Sequence, residues 1–273
     1  MSSALFFWLA LAGYICSSIA YISALAFSHA RSRRLGPRLA LVGLALHSVS
    51  LGLRWYAIGH GPYVSTYEIL SSNTWIAVTF FLLLQWRIRM FVHLGALVMP
   101  LAFVMLGFAL MGSTELQTLS PTLQSAWLLV HILFAKLTVS GMLVAFALSI
   151  AQLLKERRHP RDGFLTKLPA VDVLDDYAYR LVAFSFITLT IMIITGSIWA
   201  NNSWGHYWSW DPTETWSLVV WLVYGLYLHG RITFTWSKTL SSWYIVLSFV
   251  FSIIAFFIIP YLIKSQHSQY MVG

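Results

Sequence analysis

The sequence predicts an all-α, polytopic integral membrane protein with about eight transmembrane helices, and three observations support this class. The 273 residues are 59% hydrophobic and only 10% charged, against roughly 25% charged residues in an ordinary soluble domain. Apolar stretches of about 20 residues, the length that a helix needs to cross a bilayer, recur along the whole chain. They lack the alternation of barrel strands, whereas helices satisfy their own backbone groups in lipid. We therefore expect residues 1–273 to form a single transmembrane domain.

The eight predicted spans follow one another with short connections. In chain order they cover residues 4–27, 39–58, 69–86, 90–111, 126–154, 181–200, 215–230 and 240–263. The first is too long for a cleaved signal peptide, and we expect it to be a retained helix. The fifth is longer than a bilayer requires, which predicts that it tilts or protrudes. Before the sixth span, the charged residues 172–180 predict a separate interfacial helix.

Basic residues alternate between the predicted connections and so indicate topology. One side of the membrane receives most of the 17 lysines and arginines: Arg31, Arg33, Arg34, Arg38, Arg87, Arg89, Lys155, Arg157, Arg158, Arg161, Lys167, Arg180, Arg231 and Lys238. Such a bias marks the cytoplasmic side. Both termini and the connection 201–215 are therefore predicted to face the outer side. Because the net charge of +8 lies in these short clusters, it predicts contact with membrane lipid and no nucleic-acid partner.

One outer connection, WGHYWSWDPTETW at residues 204–216, concentrates tryptophan and carboxylate side chains. Its second half predicts the start of the seventh helix, with Asp211 as N-cap, Pro212 at N1, Thr213 at N2 and Glu214 at N3. The tryptophans form a broad aromatic surface at the membrane boundary. That surface is open to two interpretations, an aromatic belt at the interface or a binding surface.

Two histidines favour a binding surface. His131 is expected about 9 Å below the outer end of the fifth span at 1.5 Å per residue, and His267 follows the eighth span on the same outer side. Taken singly, a membrane histidine is more often a packed polar residue than a ligand. Two imidazoles beside a planar floor of tryptophans match what a haem needs, which is ring stacking for the macrocycle and two axial nitrogens for iron.

The segment GSIWANNSWGHYWSWDPTETWSLVVWLVYGLYLHGR resembles the tryptophan-rich WWD signature of the CcsA (ResC) family of System II cytochrome c biogenesis. The signature proper covers residues 199–221. Two upstream segments carry the same resemblance, GHGPYVSTYEILSSNTW at residues 59–75 and WLLVHILFAKL at residues 127–137. The eight-span layout extends it over essentially the whole chain.

The resemblance implies a cytochrome c biogenesis protein that binds haem b in the membrane and presents it at the outer face. There the haem would be attached to an apocytochrome c carrying Cys-x-x-Cys-His, which makes the chain a candidate subunit of a holocytochrome c synthase. His131 and His267 match the family's outer iron ligands, and His229 matches its transmembrane histidine, whose iron partner comes from a CcsB/ResB-type membrane protein. The whole cofactor-binding set expected is His131, His267, His229, Trp204, Trp208, Trp210, Asp211, Glu214 and Trp216. The implied location is a bacterial inner or plasma membrane, or a thylakoid membrane.

Several polar residues are left with two or more interpretations. His206 is either a competing iron ligand or a solvent-facing side chain. Arg54 either holds a haem propionate or extends to the lipid headgroups, and Tyr67 and Glu68 are expected to support the outer site. The positive charge of Lys136, in the middle of the fifth span, must be compensated by a haem propionate, a backbone carbonyl or a carboxylate of a partner chain. The remaining two, His47 and His93, either assist haem entry or are structural.

Two other functions are the alternatives to haem delivery. A b-type electron-transfer protein would need histidines facing each other at matched depth, and His131 and His229 are predicted toward opposite faces. A solute transporter would be expected to show broken helices or repeats, and the sequence displays neither.

Overall fold

Long helices account for nearly all of the chain. A computed structural model describes residues 3–27, 29–116, 119–157, 163–263, 265 and 266. The α-helices are α1 (Ser3–Phe27), α2 (Ala30–Ile58), α3 (Thr66–Arg87), α4 (Gly95–Ala109), α5 (Ala126–Arg157), α6 (Val171–Trp204), α7 (Pro212–Thr233), α8 (Lys238–Ile253) and α9 (Ile259–Leu262). A 3₁₀ segment, Arg89–Leu94, leads into α4, and two shorter ones are Pro121–Leu123 and Phe164–Lys167. Strands are absent from the described ranges, so the predicted all-α class is confirmed.

Seven of the segments in the described part of the chain are long and apolar enough to cross a membrane. They correspond to the predicted spans except the seventh, because α7 is long enough but is not among the seven. Tryptophan and tyrosine are frequent in α7, and these residues prefer membrane interfaces to the hydrocarbon core.

Two helices begin earlier than the hydropathy of the sequence predicted. α2 begins at Ala30 rather than at residue 39, and α6 begins at Val171 rather than at residue 181. The predicted interfacial helix at residues 172–180 is therefore wrong, because these residues form the first turns of α6 itself. Hydropathy identifies the apolar part of a helix, whereas the backbone hydrogen bonds continue through polar turns outside it.

The chain divides into two compact units. Unit 1 contains Met1–Gln117 and Ala151–Leu174, and unit 2 contains Thr118–Ile150 and Asp175–Gly273. The single domain expected from the sequence stays a prediction.

In unit 1, small residues let α1 and α2 approach closely. A Cβ atom on Gly13 would lie 3.0 Å from Cα of Gly43, and one on Gly43 would lie 2.8 Å from the ring of Tyr14. Helices in membranes associate through such close backbone packing. Buried hydrogen bonds also join α1, α2 and α3. The imidazole of His47 lies between the hydroxyls of Tyr14 (3.2 Å) and Ser71 (2.9 Å). His47 is fully buried, which favours its structural interpretation.

In unit 2, polar bonds and stacked rings tie α6 to its neighbours. The hydroxyl of Thr138 on α5 donates to that of Thr188 on α6 at 2.8 Å. Trp221 on α7 stacks on Phe186 at 5.0 Å and donates its indole N–H to Thr190 at 2.8 Å. These contacts fix three helices whose ends carry the predicted site.

An ion pair closes the other end of unit 2. Arg231, near the end of α7, donates to both carboxylate oxygens of Asp175 on α6, at 2.9 and 2.7 Å, and to the hydroxyl of Ser241 on α8 at 3.0 Å. Two parallel bonds of this kind are geometrically specific as well as strong. One side chain thus joins three helices.

The last long helix does not remain α-helical to its end. Residues Ile254–Ile258 form a π-turn, in which the Ile259 N–H bonds to the Ile254 carbonyl. Pro260 follows two residues after the π-turn and has no N–H to donate to the helical hydrogen bonds, which accounts for the irregularity here. The predicted eighth span, 240–263, is therefore interrupted near its C-terminal end.

Candidate functional site

The predicted start of α7 is confirmed in detail. Asp211 is the N-cap and Pro212 the first helical residue, and Thr213 N–H donates to Asp211 Oδ1 at 3.0 Å. Glu214 at N3 completes a capping box, because its Oε2 accepts the backbone N–H of Asp211 at 3.2 Å. Both carboxylates lie at the positive end of the helix dipole, which favours them.

Glu214 also determines the shape of the tryptophan loop, residues 205–210. Its Oε2 accepts the backbone N–H of Ser209 at 2.8 Å as well as that of Asp211, so one oxygen holds both neighbours of Trp210. Trp210 itself has φ = 60°, a left-handed conformation that is rare for a bulky residue and costs about 1–2 kcal/mol. The Thr215 hydroxyl donates to the Trp210 carbonyl at 3.2 Å. This backbone turn leaves the indole of Trp210 69% exposed.

His131 lies two turns into α5 and is bonded to α6. Its Nδ1 lies 2.8 Å from the backbone carbonyl of Met192. Because a carbonyl oxygen only accepts, Nδ1 carries the hydrogen and donates it, so in a neutral ring the lone pair would be on Nε2. A ring held in this way through one nitrogen is the usual arrangement of a metal-ligating histidine. The ring also stacks on Trp199 at 6.5 Å, with 27° between the planes.

A glycine makes room for this histidine. A Cβ atom on Gly196, one turn after Met192 on α6, would lie 2.6 Å from Nδ1 of His131. Real Cβ atoms do not approach so closely, so His131 occupies the space that any other residue at position 196 would fill. Sequence reasoning missed Gly196, although it stands inside the quoted motif. A glycine within a helix, where it costs 0.5–1 kcal/mol, was the signal.

The contacting tryptophans meet edge to face, and the planar floor expected from the sequence does not match these pairs. Trp204 is the last residue of α6, and its ring meets Trp199 at 4.9 Å and 63°. In the loop, Trp208 and Trp210 meet at 5.8 Å and 90°. Edge-to-face contact is the favoured geometry of aromatic pairs. The loop therefore presents indoles in more than one orientation.

Some of the tryptophans pack inside the protein. Trp199 is 3% exposed and donates its indole N–H to the Thr122 carbonyl at 2.9 Å. Trp216, in the first turns of α7, packs on Phe251 of α8 at 5.7 Å. Their contacts are those of side chains that anchor the loop to the helices around it.

The chain after α9 returns to the start of α7. The N–H of Gln266 donates to Asp211 Oδ2 at 2.8 Å, and the hydroxyls of Thr213 and Ser265 lie 3.3 Å apart. His267, the second predicted outer ligand, lies outside the described residues. Its assignment stays a prediction.

His229 lies on an exposed face of α7. The residues exposed beside it are Leu222, Leu226 and Ile232, at helical spacing along one side of the helix. Nδ1 of His229 lies 3.3 Å from the Thr233 hydroxyl, and the ring meets Phe234 at 5.3 Å. An imidazole at this position is accessible from outside unit 2, whether the neighbour is lipid or protein.

His206 lies in the tryptophan loop and is half-buried. Its side chain is therefore less exposed than the solvent-facing interpretation requires. Its ring is 6.4 Å from that of Trp204 at 33°. Nδ1 is buried and has no hydrogen-bond partner within the described ranges. The alternative of a second imidazole near the outer site therefore stays open.

Arg54 does not extend to the lipid headgroups as one interpretation expected, and its contact with a haem propionate stays a prediction. Its guanidinium is buried at 5% exposure and bonds Glu68 Oε1 at 2.7 Å, with further bonds to the carbonyls of Thr114 (3.0 Å) and Glu115 (2.9 Å). Glu68 is the N3 residue of a second capping box, with Ser65 as N-cap. The pair fastens two loops of unit 1 to α2 and α3.

Three other polar residues, two of them singled out by the sequence analysis, lie in unit 1 or within α5. Burial and the nearby Glu68 carboxylate raise the pKa of Tyr63, in the loop between α2 and α3. His93, in the 3₁₀ segment before α4, has a buried Nδ1 without a partner in the part of the chain that the structure describes. Lys136 on α5 is 8% exposed, so this membrane cation is buried as predicted.

Comparison with known proteins agrees with the fold and with the motif. A family model described as cytochrome C assembly protein matches residues 63–267. The cytochrome c biogenesis protein CcsA of Guillardia theta is 32% identical over 243 residues, which cover 81% of this chain and 80% of that protein. CcsA of Parasynechococcus marenigrum (strain WH8102) is 35% identical over 237 residues and 77% of each chain.

A solved structure has the same fold. The cytochrome c haem lyase CcmF superposes with a TM-score of 0.72 at 18% identity, over 94% of this chain and 47% of that chain. The present chain thus spans about half the length of that lyase.

The apolar helices and these relatives make the chain an integral membrane protein. It belongs to the cytochrome c assembly protein family. The chain therefore functions in the maturation of cytochrome c, a process that involves haem.

Proposed function

We propose that unit 2 binds haem b at its tryptophan loop and presents it at the outer membrane face for covalent attachment to apocytochrome c. The observation that carries this proposal is the pairing of His131 with the Met192 carbonyl beside Trp199. It gives an oriented imidazole next to a group of indoles, which is the side-chain chemistry that a haem requires.

The residues present fit this ligand. His131 has its lone pair on Nε2, the kind of nitrogen that haem iron accepts as an axial ligand. Trp210 and Tyr207 of the loop are 69% and 59% exposed, so they supply apolar ring surface for stacking. When bound, haem supplies two vinyl groups, across each of which a cysteine S–H of the acceptor adds without any leaving group.

The role of this chain is to hold the haem and to orient it. His131 would provide one ligand to the haem iron, and His267 is proposed as the other. The Met192 carbonyl and Gly196 fix the first imidazole. Glu214 keeps the backbone of Trp210 in its left-handed turn.

His229 is proposed as one iron ligand of a second, inner site. It is exposed on α7 beside leucine and isoleucine side chains, which supports completion of this site by another membrane protein. A CcsB/ResB-type chain with its own histidine is the partner proposed. The outer orientation of the tryptophan loop rests on the distribution of basic residues, and a reporter fused after Gly273 is expected to be active only outside the cytoplasm.

Coexpression of the chain and its partner with an apocytochrome c tests the proposal. Replacing His131 by glycine should abolish formation of the holocytochrome, and added imidazole should restore part of it by entering the vacated axial position. Replacing His229 should leave the outer site without haem. The matched control is His47→Gln in unit 1, which should leave the haem spectrum of the outer site unchanged. A His131→Gly chain that matures cytochrome at the normal level would contradict haem delivery at this site.

A further inference from the structure

The last turn of α7 places a hydroxyl beside the imidazole of His229. Oγ1 of Thr233 lies 3.3 Å from Nδ1 of His229. The two residues are four apart on one helix, so their side chains are neighbours on the same face. Both side chains are exposed. The hydroxyl is therefore in a position to act on a histidine that remains accessible from outside unit 2.

The hydrogen bond decides which nitrogen of the ring can bind a metal. A neutral imidazole carries one hydrogen, and the partner of one nitrogen determines where that hydrogen lies. A hydroxyl can either donate or accept. If the Thr233 oxygen accepts from Nδ1–H of His229, then Nε2 keeps its lone pair, and a nitrogen lone pair is what haem iron takes as an axial ligand. The opposite direction would put the hydrogen on Nε2 and block it.

The turn after α7 places an aromatic ring across the same imidazole. Phe234 is the C-cap of α7, and its N–H donates to the Gly230 carbonyl at 3.2 Å. Its ring meets that of His229 edge to face, at 5.3 Å and 88°. The next residue, Thr235, has φ = 47°, a left-handed conformation that is a genuine outlier for a β-branched residue. A strained turn thus directs Phe234 toward the histidine.

Packing around Trp236 holds this strained turn. A Cβ atom on Gly230 would lie 2.6 Å from Cδ2 of Trp236, so the indole occupies the space of the missing side chain. The indole also packs on the ring of Tyr244 at 5.1 Å, and the Tyr244 hydroxyl donates to the Val223 carbonyl at 3.0 Å. Backbone strain persists where the surroundings over-determine it, and it clusters at functional sites. The end of α7 is therefore fixed on two sides.

We propose that Thr233 is a positioning residue of the inner site, whose hydroxyl accepts Nδ1–H of His229 and so presents Nε2 to the iron. Phe234 limits the rotation of the ring. A metal-ligating histidine usually donates its other N–H to an acceptor, which also makes the ligand more basic. The Met192 carbonyl serves His131 in this way. The inference rests on the proposed function, in which His229 is a ligand of the inner haem.

Two substitutions separate the hydroxyl from the volume of the side chain. Thr233→Val removes the hydroxyl and keeps the shape, whereas Thr233→Ser keeps the hydroxyl. Because Thr233 is exposed at the last position of α7, both variants should fold. The matched control is Thr79→Val in unit 1, which removes a hydroxyl that donates to the Trp75 carbonyl of its own helix at 2.8 Å.

The hydrogen bond is measured first without haem, by NMR of the full chain with ¹⁵N-labelled histidine in detergent micelles. Mildly alkaline buffer keeps the imidazoles neutral, and His229→Gln identifies the signals of His229. The native chain should carry the hydrogen on Nδ1, and Thr233→Val should move most of it to Nε2. Thr233→Ser and Thr79→Val should keep the native signals. Unchanged His229 signals in Thr233→Val overturn the positioning role.

The consequence for the iron is measured by redox titration of the inner haem. The complex with the partner chain is purified with His131→Gly, so that the outer haem does not contribute. Thr233→Val should move the midpoint potential to a more positive value, because an imidazole without an acceptor for Nδ1–H is a weaker electron donor to iron. It should also retain the inner haem roughly threefold to tenfold less well, the effect of losing one hydrogen bond. Thr233→Ser should restore both.

Two further results would separate the failures. Altered His229 signals in Thr233→Val with an unchanged potential would overturn the positioning role while leaving haem binding intact. Absence of inner haem from the native partner complex would overturn the proposed inner site, and with it this role of Thr233. In that case the NMR measurement still decides whether Thr233 bonds Nδ1 of His229.

Discussion

Gly196 and His131 are fitted to each other across two helices. A Cβ atom on Gly196 would lie 2.6 Å from Nδ1 and 2.9 Å from Cε1 of His131. Nδ1 is the atom that donates to the Met192 carbonyl. The missing side chain therefore lets the imidazole lie against α6 and make the bond that orients it.

Replacing Gly196 should weaken haem binding although Gly196 is not itself a ligand of the iron. In Gly196→Ala, the new methyl group should displace the ring of His131 and lengthen its bond to Met192. The lost bond should cost about 1–3 kcal/mol, so haem should bind roughly tenfold or more weakly, since 1.4 kcal/mol is tenfold. Titration of the purified chain with haem measures this.

Gly107→Ala is the matched control for this variant. Gly107 also lies inside a helix, and a Cβ there meets nothing within 4 Å. Alanine should be neutral or slightly stabilising at that position, with haem binding unchanged. Equal haem affinity in Gly196→Ala and the native chain would contradict the steric argument.

Glu214 should be essential to the loop because it holds both neighbours of Trp210. Glu214→Ala removes the acceptor of the Ser209 and Asp211 N–H groups. Leaving such donors unsatisfied should lower the free energy of unfolding by about 2–4 kcal/mol, measured by denaturation in detergent. The second substitution, Trp210→Gly, should then recover part of the loss, since glycine adopts φ = 60° without strain.

The effect of Trp210→Gly, by itself and combined with Glu214→Ala, tests whether Glu214 acts by holding the left-handed turn at Trp210. Trp210→Gly by itself should change the free energy of unfolding by less than about 1 kcal/mol, because relief of strain offsets the flexibility that glycine adds to the unfolded chain. If Trp210→Gly makes Glu214→Ala still less stable, then Glu214 does not act by holding the left-handed turn.

The indoles of the loop should matter for haem retention rather than for membrane insertion. Replacing Trp204, Trp208 and Trp210 together by alanine should lower the haem content of the purified protein severalfold, because stacking surface is lost. The amount of protein in the membrane should stay the same. Loss of membrane protein with normal haem content per chain would instead support the aromatic-belt interpretation.

Trp221 supplies the control for this experiment. Its ring stacks on Phe186, and its N–H is bonded to Thr190, so Trp221→Ala should reduce stability by about 3–5 kcal/mol. The chains that remain folded should keep their haem.

The buried pair in unit 1 should be sensitive to removal of one partner. Arg54→Met leaves Glu68 as an uncompensated charge at 1% exposure, and such a change costs about 3–5 kcal/mol. The double variant Arg54→Met, Glu68→Gln should lose less than the sum of the two single changes. Denaturation in detergent gives these differences.

An exposed pair calibrates the measurement. Arg180 and Asp176 form a 2.9 Å pair with side chains 67% and 49% exposed, and Arg180→Met should cost at most about 1 kcal/mol. A loss in Arg54→Met as small as that one would contradict the structural role assigned to Arg54 and Glu68.

The helices, the family resemblance and the start of α7 could all be predicted from the chain itself. Hydropathy identifies spans because each helix satisfies its own backbone in lipid. It did not predict the polar first turns of α2 and α6 or the π-turn at the end of α8. The cap at Asp211 was equally local, since every bond of a capping box lies within four residues. The quoted motif was sufficient for the resemblance to the family that the comparisons then showed.

What the sequence left open depended on partners far away along the chain. Arg54 and Glu68 are 14 residues apart, and His131 and Met192 are 61 apart, so neither contact follows from any local pattern. The aromatic surface was predicted as a flat floor, but the pairs Trp199–Trp204 and Trp208–Trp210 meet edge to face. Gly196 carried only the signal of a glycine inside a helix, which does not say which side chain fills the space that it leaves.

The sequence by itself determined the class of the protein, its helices and the residue types of the site, because hydropathy, capping and motif are properties of neighbouring residues. Tertiary structure alone decided which atoms those residues use. It directed Nδ1 of His131 to Met192, Oδ2 of Asp211 to Gln266, and Arg54 to Glu68. The physical reason is that a buried polar group must find a partner, and the packing of distant helices decides which one it finds.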